Sequence, residues 1–135
     1  MRVCLDTNVL VAALATRGLC ADVLRSVLAE HELVIGEVIL VELRRVLANK
    51  FKVPTEKIKA IEAIFEPFAA LPKPKEPSTL PVRDASDGWI LATALAGDAD
   101  VLVTGDDDLL AVRDAPLRIL TPRAFWELLR QPPKG

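Results

Sequence analysis

Short apolar runs and longer stretches of helical spacing alternate along this chain. Residues 3–5 are a brief apolar run that stops at Asp6, and residues 9–15 behind it predict a short helix. Residues 21–29 predict a second helix, with Val23, Leu24, Val27 and Leu28 on one face. Residues 32–35 predict a strand closed by Gly36. Residues 37–49 predict a strongly apolar helix, and Pro54 opens another that runs to about Phe68. Pro72, Pro74, Pro77 and Pro81 make residues 71–81 an extended connector, part of which, near Leu71, can pair as a strand. Asp84 and Asp87 then precede a clear helix over Trp89 and the residues after it, ended by Gly97. Residues 100–104 predict a strand with an unbroken apolar centre, as expected inside a parallel sheet. Residues 109–112 predict a turn of helix, residues 118–120 a last strand, and Pro122 starts a terminal helix through Leu129. Strands alternating with helices predict an α/β domain around a central parallel sheet.

The chain has 135 residues, the size of one domain, and neither side of the proline connector holds a full strand set alone. Residues 1–135 are therefore expected to fold as a single unit. With 51% apolar residues it can bury a real core. No apolar stretch reaches the roughly 18 residues of a membrane span, and the N-terminal residues lead directly into a strand. Neither a signal peptide nor a membrane is expected, and the expected location is the cytoplasm. Cys4 and Cys20 lack Cys-x-x-Cys spacing and are expected as buried thiols.

A net charge of −2 argues against a nucleic-acid surface spread over the whole chain. The distribution changes that picture. Arg44, Arg45, Lys50, Lys52, Lys57 and Lys59 face only Glu56 between positions 44 and 59, giving that segment a net charge of +5. The acids gather elsewhere, at Asp84, Asp87 and Asp106 to Asp108. A basic segment beside an acidic site suits a metal-dependent enzyme acting on a polyanion, although a solvated helix face has the same charges.

Four acids carry the candidate chemistry. Asp6 and Asp106 each follow a strand run, at the rim where open parallel sheets place ligands. Asp87 stands at the start of a helix, and Glu42 sits inside the apolar helix, sharing its face with Val38, Ile39 and Val46. Carboxylates crowded together repel unless a cation joins them, and oxygen-only donors favour a hard ion such as Mg²⁺ or Mn²⁺. Metal-assisted chemistry on a phosphate follows as the leading expectation. Bland explanations exist for three of the acids. Asp6 can cap a helix, Asp84 and Asp87 have cap and third-position spacing, and Gly105 permits a tight solvated turn before the three aspartates. Glu42 has only a pair with Arg45 as such an alternative, and burying its charge unpaired costs several kcal/mol.

Other chemistries drop out. His31 is the only histidine, so a histidine relay or a zinc site is not expected. There is no Gly-x-Ser-x-Gly or Walker-type loop. Phe125 and Trp126 read as core or interface residues, and the absence of tyrosine argues against an aromatic single-strand platform.

In sum the pattern resembles the PIN-domain nucleases, in particular the small bacterial and archaeal VapC-like group of toxins in toxin–antitoxin pairs. The resemblance is carried by Val3-Cys-Leu-Asp-Thr-Asn-Val-Leu10, Glu42-Leu-Arg-Arg-Val-Leu47, Arg83-Asp-Ala-Ser-Asp87, Ala99-Asp-Val-Leu-Val-Thr-Gly-Asp-Asp-Asp-Leu-Leu110 and Ile119-Leu-Thr-Pro-Arg-Ala-Phe125. It implies a three-layer α/β/α sandwich, usually a homodimer, with Mg²⁺- or Mn²⁺-dependent endoribonuclease activity. The family's acidic quartet falls on Asp6, Glu42, Asp87 and Asp106, with Asp108 as an accessory acid and Asn8 and Thr104 as supporting polar groups. Ala85 and Gly36-Glu37 depart from the family pattern without removing an acid.

On that resemblance Asp6 and Asp106 hold the main metal ion, Asp87 completes the site, and Glu42 binds a second ion or orients water. Arg44, Arg45, Lys50 and Lys52 supply RNA-backbone contacts, and an antitoxin protein is the expected partner. The competing readings are a catalytically silent PIN-fold interaction module and a phosphohydrolase with Asp6 as nucleophile. The latter usually wants Asp-x-Asp, whereas Asn8 occupies the second position.

Overall fold

The sheet is built outward from β1 (Arg2–Leu5), whose Val3, Cys4 and Leu5 are fully buried. The computed structural model describes residues 1–78 and 85–131, so Asp84, with its predicted capping role, lies outside the described residues. β1 pairs in parallel with β2 (Glu32–Gly36) on one side and β4 (Val101–Val103) on the other. β3 (Ala69–Leu71) extends the sheet beyond β2, and β5 (Arg118–Leu120) extends it beyond β4. The order is β3-β2-β1-β4-β5, all parallel. The inner strands are apolar on both faces because helices cover both.

Seven helices are described: α1 (Thr7–Ala15), α2 (Leu19–Glu30), α3 (Glu37–Asn49), α4 (Thr55–Phe65), α5 (Ala85–Ala96), α6 (Asp107–Leu110) and α7 (Pro122–Leu129). Right-handed crossovers put the helices leaving β1 and β2 on one face and those leaving β3 and β4 on the other. The result is the expected three-layer α/β/α sandwich. α1 packs on α2 and α3, while α3 also meets α4 and α5. On α3, Ile39, Leu43 and Leu47 recur every four residues and are buried. Phe65 on α4 and Phe125 on α7 are fully buried, confirming Phe125 as core. Truncating such a phenylalanine to alanine costs about 3–5 kcal/mol.

Most boundaries follow the sequence pattern. α4 ends at Phe65 rather than near Phe68, since Phe68 N–H bonds back to Phe65 O in a tight turn that leads into β3. α6 starts at Asp107 rather than Leu109 because the Asp106 side chain caps it. No described glycine has positive φ, and a Cβ on Gly105 would meet open space, so the turn after β4 does not depend on that glycine. Cys4 is buried and Cys20 half-buried, both free thiols. Among the described residues no single helix is long and apolar enough to cross a membrane.

Candidate metal centre

The strand order reverses between β1 and β4, from which the chain departs in opposite directions along the sheet. A crevice opens at the carboxyl ends of strands at such a reversal. Asp6 follows β1 and Thr104 to Asp106 follow β4, so the sequence delivers its polar residues to that point. The Asp6 N–H continues the ladder to Val103 O at 2.9 Å, which places Asp6 beside Thr104.

Asp6 caps α1 and bonds to the end of β4 at once. Its Oδ1 accepts from Thr7 N–H at 2.7 Å, while its Oδ2 accepts from Thr104 Oγ1 at 2.7 Å. The Thr104 hydroxyl in turn accepts from Asp106 N–H at 3.0 Å. Asp106 Oδ1 accepts from Asp108 N–H at 2.8 Å, closing the first turn of α6. Burial pushes the Asp6 carboxyl above its ordinary range. The bonds from Thr104 and Thr7 pull it back, and the nearby Asp106 charge raises it further. Thr7 Oγ1, next in the chain, is buried without a hydrogen-bond partner among the described residues.

Asp87, in the first turn of α5, is buried. Its carboxylate comes together with those of Asp106 and Asp108, each offering an oxygen within 4.8 Å of the others. Opposed ligands of an octahedral Mg²⁺ lie about 4.2 Å apart, twice the roughly 2.1 Å bond, so the trio needs only a small closure to share one hard cation. The donor set, all carboxylate oxygen, fits that class of ion. Asp108 thus stands inside the tightest cluster, although the sequence assigned it an accessory place.

Asp6 and Glu42 lie outside that trio. Asp6 joins it through Thr104 and through its charge coupling to Asp106. Glu42 is half-buried and lines a neighbouring cleft with Glu37, Val38, Val41, Lys73 and Trp89. Its face on α3 is as expected, with Ile39 buried and Val38 and Val46 partly so. Asn8 is exposed. Among the basic residues, Arg44 forms a bidentate pair with Glu62 on α4, at 2.8 and 2.7 Å from Nη2. Arg45, Lys50 and Lys52 are exposed, and Lys52 takes a left-handed backbone with φ of 53° just beyond α3.

Sequence reasoning passed over Lys73 and Trp89. The Lys73 ammonium sits 4.4 Å from the indole centroid, and its backbone N–H donates to Glu37 Oε2 at 3.0 Å. The signal was faint: one cation in a proline-rich connector and one aromatic beside a candidate acid.

Residues 2–108 match the PIN domain family. Among solved structures, FitAB bound to the IR36 DNA fragment superposes with a TM-score of 0.67 at 21% identity, covering 89% of this chain and 94% of that one. VapBC2 from Rickettsia felis, bound to a DNA fragment from their promoter, gives 0.61 at 19%, covering 89% and 97%. VapBC-1 from nontypeable Haemophilus influenzae gives 0.61 at 23%, covering 91% and 99%. At these identities the likeness is one of fold. No curated protein matches the chain.

Proposed function

The chain belongs to the PIN domain family, and from that premise we propose that it is a Mg²⁺- or Mn²⁺-dependent endoribonuclease acting as the toxin of a toxin–antitoxin pair. The observation that carries the reading is the carboxylate trio of Asp87, Asp106 and Asp108, with Asp6 coupled to it, at the reversal of strand order.

Asp87, Asp106 and Asp108 would hold the ion, with Asp6 beside them. When bound, such an ion lowers the pKa of an attached water and stabilises charge on the phosphoryl oxygens. The chain's own residues prepare that chemistry. Thr104 fixes the rotamer of Asp6 and, through Asp106 N–H, ties the two aspartates to one hydroxyl. Glu42, on the wall of the neighbouring cleft, would orient the attacking water or take a second ion. Arg45, Lys50 and Lys52, with Arg44 in a lesser role, would contact the RNA backbone and favour affinity over sequence choice.

The antitoxin reading rests on the resemblance, and a homodimer in the cytoplasm is proposed on the same ground. With a net charge of −2 and an acid-lined crevice, this chain alone is a poor match for duplex DNA. Any promoter contact would fall to a partner.

The decisive experiment incubates wild type and Asp6→Asn with structured and single-stranded RNA, with and without Mg²⁺ or Mn²⁺. Cleavage that requires both the ion and Asp6 is expected. Wild-type cleavage by Asp6→Asn, or cleavage indifferent to chelator, would sink the proposal.

A further inference from the structure

We propose that the cleft between α3 and α5 is a base-stacking subsite, in which one nucleobase of single-stranded RNA lies on the Trp89 indole in place of the Lys73 ammonium. The displaced ammonium moves to the phosphate of the same nucleotide. The inference rests on the nuclease reading above and assigns that site its substrate contact beside the acids.

The cleft has a volume of about 210 Å³ and is walled by Val38, Val41, Trp89 and the carboxyl-bearing Glu37 and Glu42. That is small beside the several hundred Å³ of a pocket for a whole drug-sized ligand, and it suits a single flat ring. Val41 is 62% exposed, a large apolar surface left to solvent at the mouth. Glu37 on the wall disfavours a phosphate inside the cleft, so the neutral base enters and the phosphate stays at the rim, where Lys73 stands. A base on an aromatic ring is a stronger contact than an exposed cation over it, so the exchange is favourable. Lys73 has a flexible four-carbon stem and three donors, which lets it follow the phosphate. The cleft is tied to the proposed site through Glu42, which belongs to its wall; Trp89 shares α5 with Asp87 but stands on another face of that helix.

The chain has two tryptophans, so Trp126→Phe leaves Trp89 as the only reporter. That variant and wild type are titrated with an uncleavable 2′-O-methyl hexanucleotide and with its abasic counterpart. We expect quenching of Trp89 emission by the base-bearing strand and little by the abasic one. Trp89→Leu should raise KM for single-stranded RNA roughly tenfold with kcat nearly unchanged, while Trp89→Phe retains most of the affinity. A melting curve confirms that each variant is folded. Equal quenching by the abasic strand, or an unchanged KM in Trp89→Leu, overturns the subsite. An emission change with protein concentration alone also overturns it and assigns the cleft to a contact between copies. Quenching is read without turnover, so the two proposals fail separately. Base-dependent quenching without cleavage removes the nuclease reading and keeps the subsite; cleavage without base-dependent quenching does the reverse.

Discussion

Thr104 Oγ1 donates to Asp6 Oδ2 at 2.7 Å, although the two residues stand 98 positions apart in the chain. Both are buried, and the same hydroxyl accepts from Asp106 N–H. One small side chain thus sets the orientation of a buried acid and the start of the loop that carries two more. The Asp6 carboxylate has one oxygen held by the first turn of α1 and the other by the end of β4.

Thr104→Val keeps the shape and removes the hydroxyl. It leaves Asp6 Oδ2 and Asp106 N–H without their bonds, which should cost about 1–3 kcal/mol of stability. Metal-dependent cleavage should fall by roughly 10–100-fold, the usual effect of losing a partner that orients a ligand. Thr104→Ser should recover most of both. Melting curves and initial cleavage rates on the three proteins test this, and wild-type rates in Thr104→Val would refute it.

Asp6→Asn separates stability from activity. The folded pKa of Asp6 lies above the ordinary 3.8, so the folded chain holds that proton more tightly than the unfolded chain. Its contribution to stability is therefore fully present in acid below 3.8 and declines as pH rises through the raised value. The variant should lack this decline, and in chelator at neutral pH it should melt at or above the wild-type temperature. Cleavage should fall by about three orders of magnitude, the several kcal/mol such a centre supplies. A markedly lower melting point for metal-free Asp6→Asn would contradict the electrostatic account.

Divalent ions should raise the melting temperature of wild type. At a concentration 100 times the dissociation constant, binding adds about 2.7 kcal/mol of stability. Asp87→Asn and Asp108→Asn should each lose most of that gain, and chelator should reverse it. Thermal scans across a Mg²⁺ series provide the measurement; an Asp108→Asn protein that responds like wild type would remove Asp108 from the centre.

Arg44 should matter less for RNA than its neighbour. Its guanidinium is already engaged by Glu62 in three hydrogen bonds, whereas Arg45 is exposed. If Arg45 contacts a phosphate, Arg45→Ala should reduce the salt slope of RNA binding by about one. Arg44→Ala should reduce it less, and Glu62→Ala should tighten binding by freeing Arg44. Binding isotherms at several salt concentrations decide the order.

The elements that could be read from the chain are those with local causes. α3 and α7 keep their expected ends, α7 because Pro122 suits the first turn and Thr121 caps it at Ala124 N–H. β3 was visible only as a suggestion, since Ala69–Leu71 is short and its pairing with β2 shifts register at Ile35 and Gly36. The acids were legible as types, and their grouping was not. Asp108 enters the trio because Asp106 folds the turn back on itself, a three-dimensional effect that spacing alone does not reveal. Arg44 with Glu62 and Lys73 with Trp89 are pairings between elements brought together only by packing of the helices and the connector.

The adjacency of β1 and β4 also has a meaning in time. A chain is made from its N-terminus, and Asp6 emerges long before the threonine that orients it or the aspartates at 106 and 108. Until that later segment has left the ribosome and paired with β1, the first hundred residues carry isolated acids and no assembled centre. On the function proposed above, the chain would therefore be inactive for most of its own synthesis.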